Sequence, residues 1–163
     1  MRHIVLGVDP GPTPGIVRLT VASSPVNPTP VIEQGQVVQC SEGVLVPVLN
    51  ALIDFPETTT TLAYEAFVVG ARAARSSTPA AGKATRDMVR ELAYWAAHHD
   101  IPSHLRRATE VKPWATDARL DAVGLLDLTK GMCHARDAGR HALFCAVRAL
   151  GLPDPLSRRA GGR

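Results

Sequence analysis

Asp9, Glu65 and Asp137 are the acids least well explained by a place on a polar surface. Of fifteen Asp and Glu residues, most fall on expected helix ends or polar faces, as Glu42, Glu91, Asp117 and Asp121 do. Asp9 instead closes the apolar run that begins at Ile4, and Glu65 stands inside the β-prone stretch Thr58–Val69. Asp137 shares one helical face with His134 and His141 at spacing i, i+3, i+7. Each has a plain alternative. Asp9 can hydrogen-bond the Asp-Pro-Gly turn that it introduces. Glu65 can face water from an edge strand, Asp137 can sit on a helix surface, and His134 can be a polar residue near a helix start. Carboxylates brought together raise one another's pKa, and a divalent cation removes that cost. Mg²⁺ and Mn²⁺ prefer oxygen ligands. Two such ions about 3.5–4 Å apart clamp the attacking and leaving oxygens of a phosphodiester. Singly, the plain alternatives hold their own; jointly, with the order of the elements and a basic segment nearby, the set reads as a metal site.

The elements that must position these groups follow from hydrophobic periodicity. Ile4–Val8 is a strand stopped by Pro10-Gly11, and Ile16–Ala22 is a second strand close enough to form an antiparallel hairpin. Val31–Gln39 makes a third, weakened at Gly35. Val44–Ile53 carries a broad apolar helical face, with Pro47 acceptable only in a first turn. Thr58–Val69 is the next strand. Between Glu65 and Asp87 there is no acid, while Arg72, Arg75, Lys83 and Arg86 occur in what reads as a basic loop. Asp87–His99 is a helix with Met88, Leu92, Trp95 and His99 in one stripe. Ile101–Lys112 is a further strand candidate, with bases at Arg106, Arg107 and Lys112. Thr116 or Asp117 caps a short helix through Leu126, and a last helix runs from about Met132 to Leu150. Beside its His134/Asp137/His141 face lies a stripe of Ala138, Ala142, Cys145 and Ala149, small enough for close approach to a sheet. The expected class is therefore α/β: a mixed β-sheet, with a three-strand meander plus further strands, flanked by helices.

Composition limits the alternatives. A chain of 163 residues, 45% hydrophobic and 20% charged, suits one globular domain. With 4% aromatic residues, its core must be largely Ala, Val and Leu. Eighteen Lys and Arg against fifteen acids leave a formal charge of +3, too mild to specify a nucleic-acid partner by itself. Cys40, Cys133 and Cys145 form no C-x-x-C pair and no disulfide framework, which suggests reduced thiols. Asp9 interrupts the first apolar run too early for a signal peptide, and no segment reaches the ~20 apolar residues of a membrane span. A soluble cytoplasmic protein with no membrane partner is expected. Residues 1–152 form the domain and residues 153–163 a short basic tail.

The IVLGVDPG start, the strand bearing Glu65 and the HARDAGRHAL helix resemble the RuvC-type Holliday junction resolvases of the RNase H-like superfamily. The resemblance spans roughly residues 3 to 150, and the order and spacing of short motifs carry it. It implies an RNase H-like fold in which Asp9, Glu65, His134 and Asp137 bind two Mg²⁺ ions. His134 stands where the family more often has Asp, and imidazole moves the preference towards Mn²⁺. Val111-Lys112 resembles the family's Val-Lys pair, which implies a Lys112 near the scissile phosphate; the alternative is a solvated strand-end lysine. Arg119 matches a second basic position. The Arg72–Arg86 segment falls where the family contacts DNA, and Arg106 and Arg107 add to that basic surface. Phe67 is offset from the family's junction-centre aromatic and reads as a core residue. The resemblance also implies a homodimer, with the Asp87–His99 helix, including Tyr94 and Trp95, at its interface.

The function expected is metal-dependent, structure-selective cleavage of branched DNA such as four-way junctions, of the kind found in small bacteriophage resolvases. An ATP-binding protein of the actin/sugar-kinase type shares the D-x-G turn but needs further Gly-rich phosphate loops, which this sequence lacks, so no nucleotide cofactor is expected. A non-catalytic DNA-binding module of the same fold would not need Asp9, Glu65 and Asp137 together. A nuclease of the same fold acting on flaps or RNA–DNA hybrids stays open, because substrate choice lies in the shape of the binding channel.

Overall fold

The computed structural model describes residues 2–26, 28–53, 58–67 and 79–157. Five strands form one mixed sheet: β1 (Arg2–Asp9), β2 (Gly15–Ala22), β3 (Val31–Gln39), β4 (Thr59–Glu65) and β5 (Ser103–Arg106), in the order β3-β2-β1-β4-β5. β1, β2 and β3 are the antiparallel meander, whereas β4 pairs with β1 and β5 with β4 in parallel. In the β1–β4 register Gly7 faces Ala63 and Val8 faces Tyr64. Asp9 and Glu65 come next, at the same end of the sheet.

Alternation along the strands separates two cores. Ile4, Leu6, Val8, Ile16, Leu62 and Tyr64 face one way and pack on α1 (Leu45–Ala51) and α2 (Pro79–His98) through Leu45, Leu49, Met88, Leu92 and Trp95. Trp95 is buried and its Nε1 donates to Asn50 Oδ1 at 2.8 Å. Val5, Val17, Leu19, Val21 and Ala63 face the other way and pack on the long last helix, Cys133–Ala149, through Ala138, Ala142, Leu143, Cys145 and Ala146.

Between β5 and that helix lie three short ones: α3 (Ala108–Val111), α4 (Asp117–Asp121) and α5 (Leu125–Leu128), which makes the last helix α6. The Ile101–Lys112 strand is thus cut short at Arg106. Ala108–Val111 closes a helical turn in which Lys112 N bonds to Ala108 O, so Lys112 ends a helix rather than a strand. The helix expected through Leu126 is broken at Gly124, whose φ of 74° lies in the left-handed region that glycine enters without penalty. The Asp87–His99 helix begins earlier, at Pro79, which puts Lys83 and Arg86 on α2 instead of a loop. The helix expected over Val44–Ile53 resolves into a 3-10 turn at Glu42–Val44 and α1, leaving Pro47 in the first turn where its missing N–H costs nothing.

A candidate metal centre at the carboxyl end of the sheet

Two glycines determine how close α6 comes to the sheet. A Cβ on Gly7 would lie 2.1 Å from Ala138 O, and one on Gly15 would lie 2.2 Å from the carbonyl carbon of His134. No other residue fits at either place, so helix backbone rests directly on β1 and β2. Asp9 has the same strand parity as Gly7, and Glu65 the same as Ala63, so both carboxylates project to the α6 side. The first turns of α6 bring His134 and Asp137 to meet them.

His134 Nδ1 and Asp9 Oδ2 are hydrogen-bonded at 2.8 Å; in the neutral tautomer that donates from Nδ1, Nε2 keeps a lone pair. Lys112 Nζ donates to Asp137 Oδ2 at 2.7 Å and lies 3.9 Å from Glu65 Oε2. Arg140, one turn beyond Asp137 on α6, donates from NH1 to Asp137 Oδ1, from NH2 to Asp117 Oδ1 and from Nε to the carbonyl of Ala115. Asp137 is therefore gripped on both oxygens, one by Lys112 and one by Arg140.

Electrostatics distinguish the two aspartates. Burial is the largest influence on Asp9 and raises its pKa; the nearby charges of Glu65 and Asp137 raise it further, and the hydrogen bond and charge of His134 oppose the rise without cancelling it. Burial also works against ionisation of Asp137, but the hydrogen bonds and charges of Lys112 and Arg140 outweigh it and hold the carboxyl below the usual range. Burial pulls the Lys112 ammonium down, and its bond to Asp137 with the charges of Asp137, Glu65 and Asp9 more than restores it, to a pKa above the ordinary lysine value. Excess negative charge thus collects around Asp9, the residue with the least solvent.

The donor set of three carboxylates and one imidazole suits Mg²⁺ or Mn²⁺. As the side chains stand, no three His, Cys, Asp or Glu groups among the described residues close on a common point tightly enough to cage an ion. The Lys112 ammonium stands between Glu65 and Asp137, where it neutralises the same charge that a cation would.

Asp9, Glu65, His134, Asp137 and Lys112 are brought together. The DNA-binding candidates are dispersed. Arg72 and Arg75 lie outside the described residues. Lys83 is exposed and pairs with Asp87 at 2.6 Å, one turn along α2. The Arg86 guanidinium lies 5.6 Å from the centre of the half-buried Phe67 ring. Arg106 and Arg107 are exposed at the end of β5, Arg106 at 3.7 Å from Glu110. Arg119 is engaged elsewhere: its guanidinium forks onto Asp154 at 2.9 and 3.0 Å, bonds the Trp114 carbonyl and lies over the Trp114 ring. Four contributors lie outside the set that sequence reasoning singles out: Gly7, Gly15, Arg140 and Asp117. Gly7 and Arg140 do carry signals, a glycine inside a β-branched run and a base at i+3 from Asp137. Asp117, distant in sequence, carries none.

No family model and no curated protein matches the sequence. Among solved structures, the chain is similar to T. thermophilus RuvC, a structure determined in complex with a Holliday junction substrate. The TM-score is 0.56 at 20% sequence identity, and the match covers 91% of this chain and 96% of that one. At that identity the likeness is one of fold, and it matches the expected RuvC-like, RNase H-like mixed sheet flanked by helices.

Proposed function

We propose that this protein is a divalent-metal-dependent endonuclease that resolves four-way and other branched DNA. The observation that carries the proposal is the meeting of Asp9, Glu65, His134 and Asp137, from two strands and a helix, around the Lys112 ammonium at one end of the sheet. The RuvC-like fold supports it independently. Asp9, Glu65, His134 and Asp137 would hold two ions, Mg²⁺ or, given the imidazole, Mn²⁺. The chemistry such ions supply when bound is activation of a water and stabilisation of the departing 3′ oxygen.

The chain's own residues do the rest. The sheet holds the backbones of Asp9 and Glu65 in place, which limits the reorganisation needed when charge develops. Arg140 restrains the rotation of Asp137, and His134 is oriented by its bond to Asp9. Lys112, kept protonated by its acidic neighbours, presents a positive charge to a phosphate entering the site. The expected products are 5′-phosphate and 3′-hydroxyl ends that can be religated. Arg106 and Arg107 beside the site, and Lys83 and Arg86 on α2, would track the DNA backbone. Two symmetric nicks need two such sites, so the active species would be a homodimer in the cytoplasm. Of the two aromatic residues assigned to its interface, Tyr94 is exposed on α2, stacked on His98, whereas Trp95 belongs to the core.

Cleavage of an immobile four-way junction, compared with linear duplex, a flap and an RNA–DNA hybrid in Mg²⁺ and in Mn²⁺, tests the proposal. Paired, junction-selective cuts that vanish in Asp137→Asn are expected. Cutting confined to flap or hybrid would keep the site and replace the substrate. Junction binding with no cutting in either metal would establish a non-catalytic module instead.

A further inference from the structure

His141 is the buried polar residue beside the site for which the proposed chemistry has no use. It lies two turns along α6 from His134, and its side chain is 1% exposed. Its Nε2 is buried without a hydrogen-bond partner, 3.5 Å from Glu65 Oε2. That separation lies just beyond a hydrogen bond. A buried polar nitrogen left unpaired is destabilising, a cost that an aliphatic residue at this position would avoid. The surroundings do not demand an imidazole for bulk, because a cavity of about 260 Å³ lined by Ala63, His104, Arg106, Phe144 and Cys145 adjoins it.

We infer that His141 is a positioning residue for Glu65. Its Nε2–H donates to Glu65 Oε2 when that carboxylate turns onto a divalent cation, leaving the other oxygen to ligate. A displacement of a few tenths of an ångström closes the bond. Ligating carboxylates are oriented by such outer hydrogen bonds, and losing one costs about 10–100-fold in metal affinity or activity. The inference rests on the metal-centre reading above and names the group that makes Glu65 a fixed ligand rather than a mobile one.

Calorimetric titration of Mn²⁺ into the full chain tests it with His141→Leu, His141→Gln and, as control, Asp9→Asn. His141→Leu should bind Mn²⁺ about tenfold more weakly or worse, with a Tm no lower than wild type. His141→Gln, whose amide nitrogen reaches the place of Nε2, should return most of the affinity. Wild-type binding by His141→Leu, with Asp9→Asn still defective, would overturn the role of His141 and leave the metal centre standing. Absence of Mn²⁺ binding by the wild type, alone and with a four-way junction, would overturn both. Should His141→Leu not fold, His141→Gln against His141→Asn decides: equal affinities overturn the assignment, because the shorter amide does not reach Glu65.

Discussion

The two faces of the sheet are packed by opposite means. On the α1/α2 side, Leu, Ile, Met and Trp side chains fill the space between layers, and the helices stand off by the length of those side chains. On the α6 side, alanines and Gly7 and Gly15 let helix backbone touch strand backbone. A side-chain-filled interface tolerates repacking, because neighbouring rotamers can adjust. A backbone contact has nothing that can adjust. The candidate site lies on the second face for that reason: short aspartates on a strand and a helix reach one another only if the two backbones are close.

Substitutions on the two faces should therefore separate activity from stability. Outside the candidate ligands, the largest loss of activity is expected from Gly15→Ala. The added methyl enters the His134 backbone and lifts the first turn of α6; a shift of ~1 Å in such a constellation costs about 100-fold in rate. Cleavage assays at a temperature where the variant is folded by circular dichroism would check it, and wild-type rates would refute the close-contact argument. Next, Lys112→Met should lower the cleavage rate by about 10–100-fold with only a modest fall in Tm near pH 7, since Arg140 still grips Asp137. A rate unaffected by Lys112→Met would make the lysine a solvated bystander. On the opposite face, Leu92→Ala should cost about 2–5 kcal/mol of stability in denaturant unfolding and leave the rate of the folded enzyme unchanged.

A subtler contrast lies between the two aspartates of the site. The raised pKa of Asp9 means that its ionised form opposes folding in the metal-free protein, a cost absent below the unfolded value and present once pH rises above the folded one. Asp9→Asn should thus raise Tm in chelator at about pH 7 and change it little near pH 3, below the ordinary aspartate value of about 3.9. Asp137 has the opposite sign: its lowered pKa supplies stability above the unfolded value that is lost as pH falls through the folded one. Asp137→Asn should lower Tm at about pH 7 and converge with wild type in acid. The same direction for both variants at neutral pH would contradict the arrangement. The smallest effect is expected at Arg119, where Arg119→Gln breaks the fork on Asp154: a modest fall in Tm with junction affinity unchanged. A marked loss of junction binding would return Arg119 to the DNA-binding set.

Much of this is legible in the residues. β-Branched runs of period two, broken by Pro and Gly, specify the meander and β4; the i, i+3 pair His134–Asp137 beside a small-residue stripe specifies the last helix and its inward face. Local pattern suffices there because each element's identity depends on neighbours a few residues away. It fails where local preferences are balanced. The Ala108–Val111 segment suits a strand or a helical turn equally well, so only the burial of Val111 in the core resolves Lys112 onto a helix end. The start of α2 is hidden because Pro79 and Gly82 resemble loop residues, although Pro is at home in a first helical turn. Periodicity and residue chemistry are enough, then, for the strands, the last helix and the identity of the candidate ligands. Three features come only from the folded chain: Gly7 and Gly15 bring α6 into backbone contact, Arg140 links Asp137 to Asp117, and His141 faces Glu65. Those are distances between residues far apart in the chain, which no spacing along it encodes.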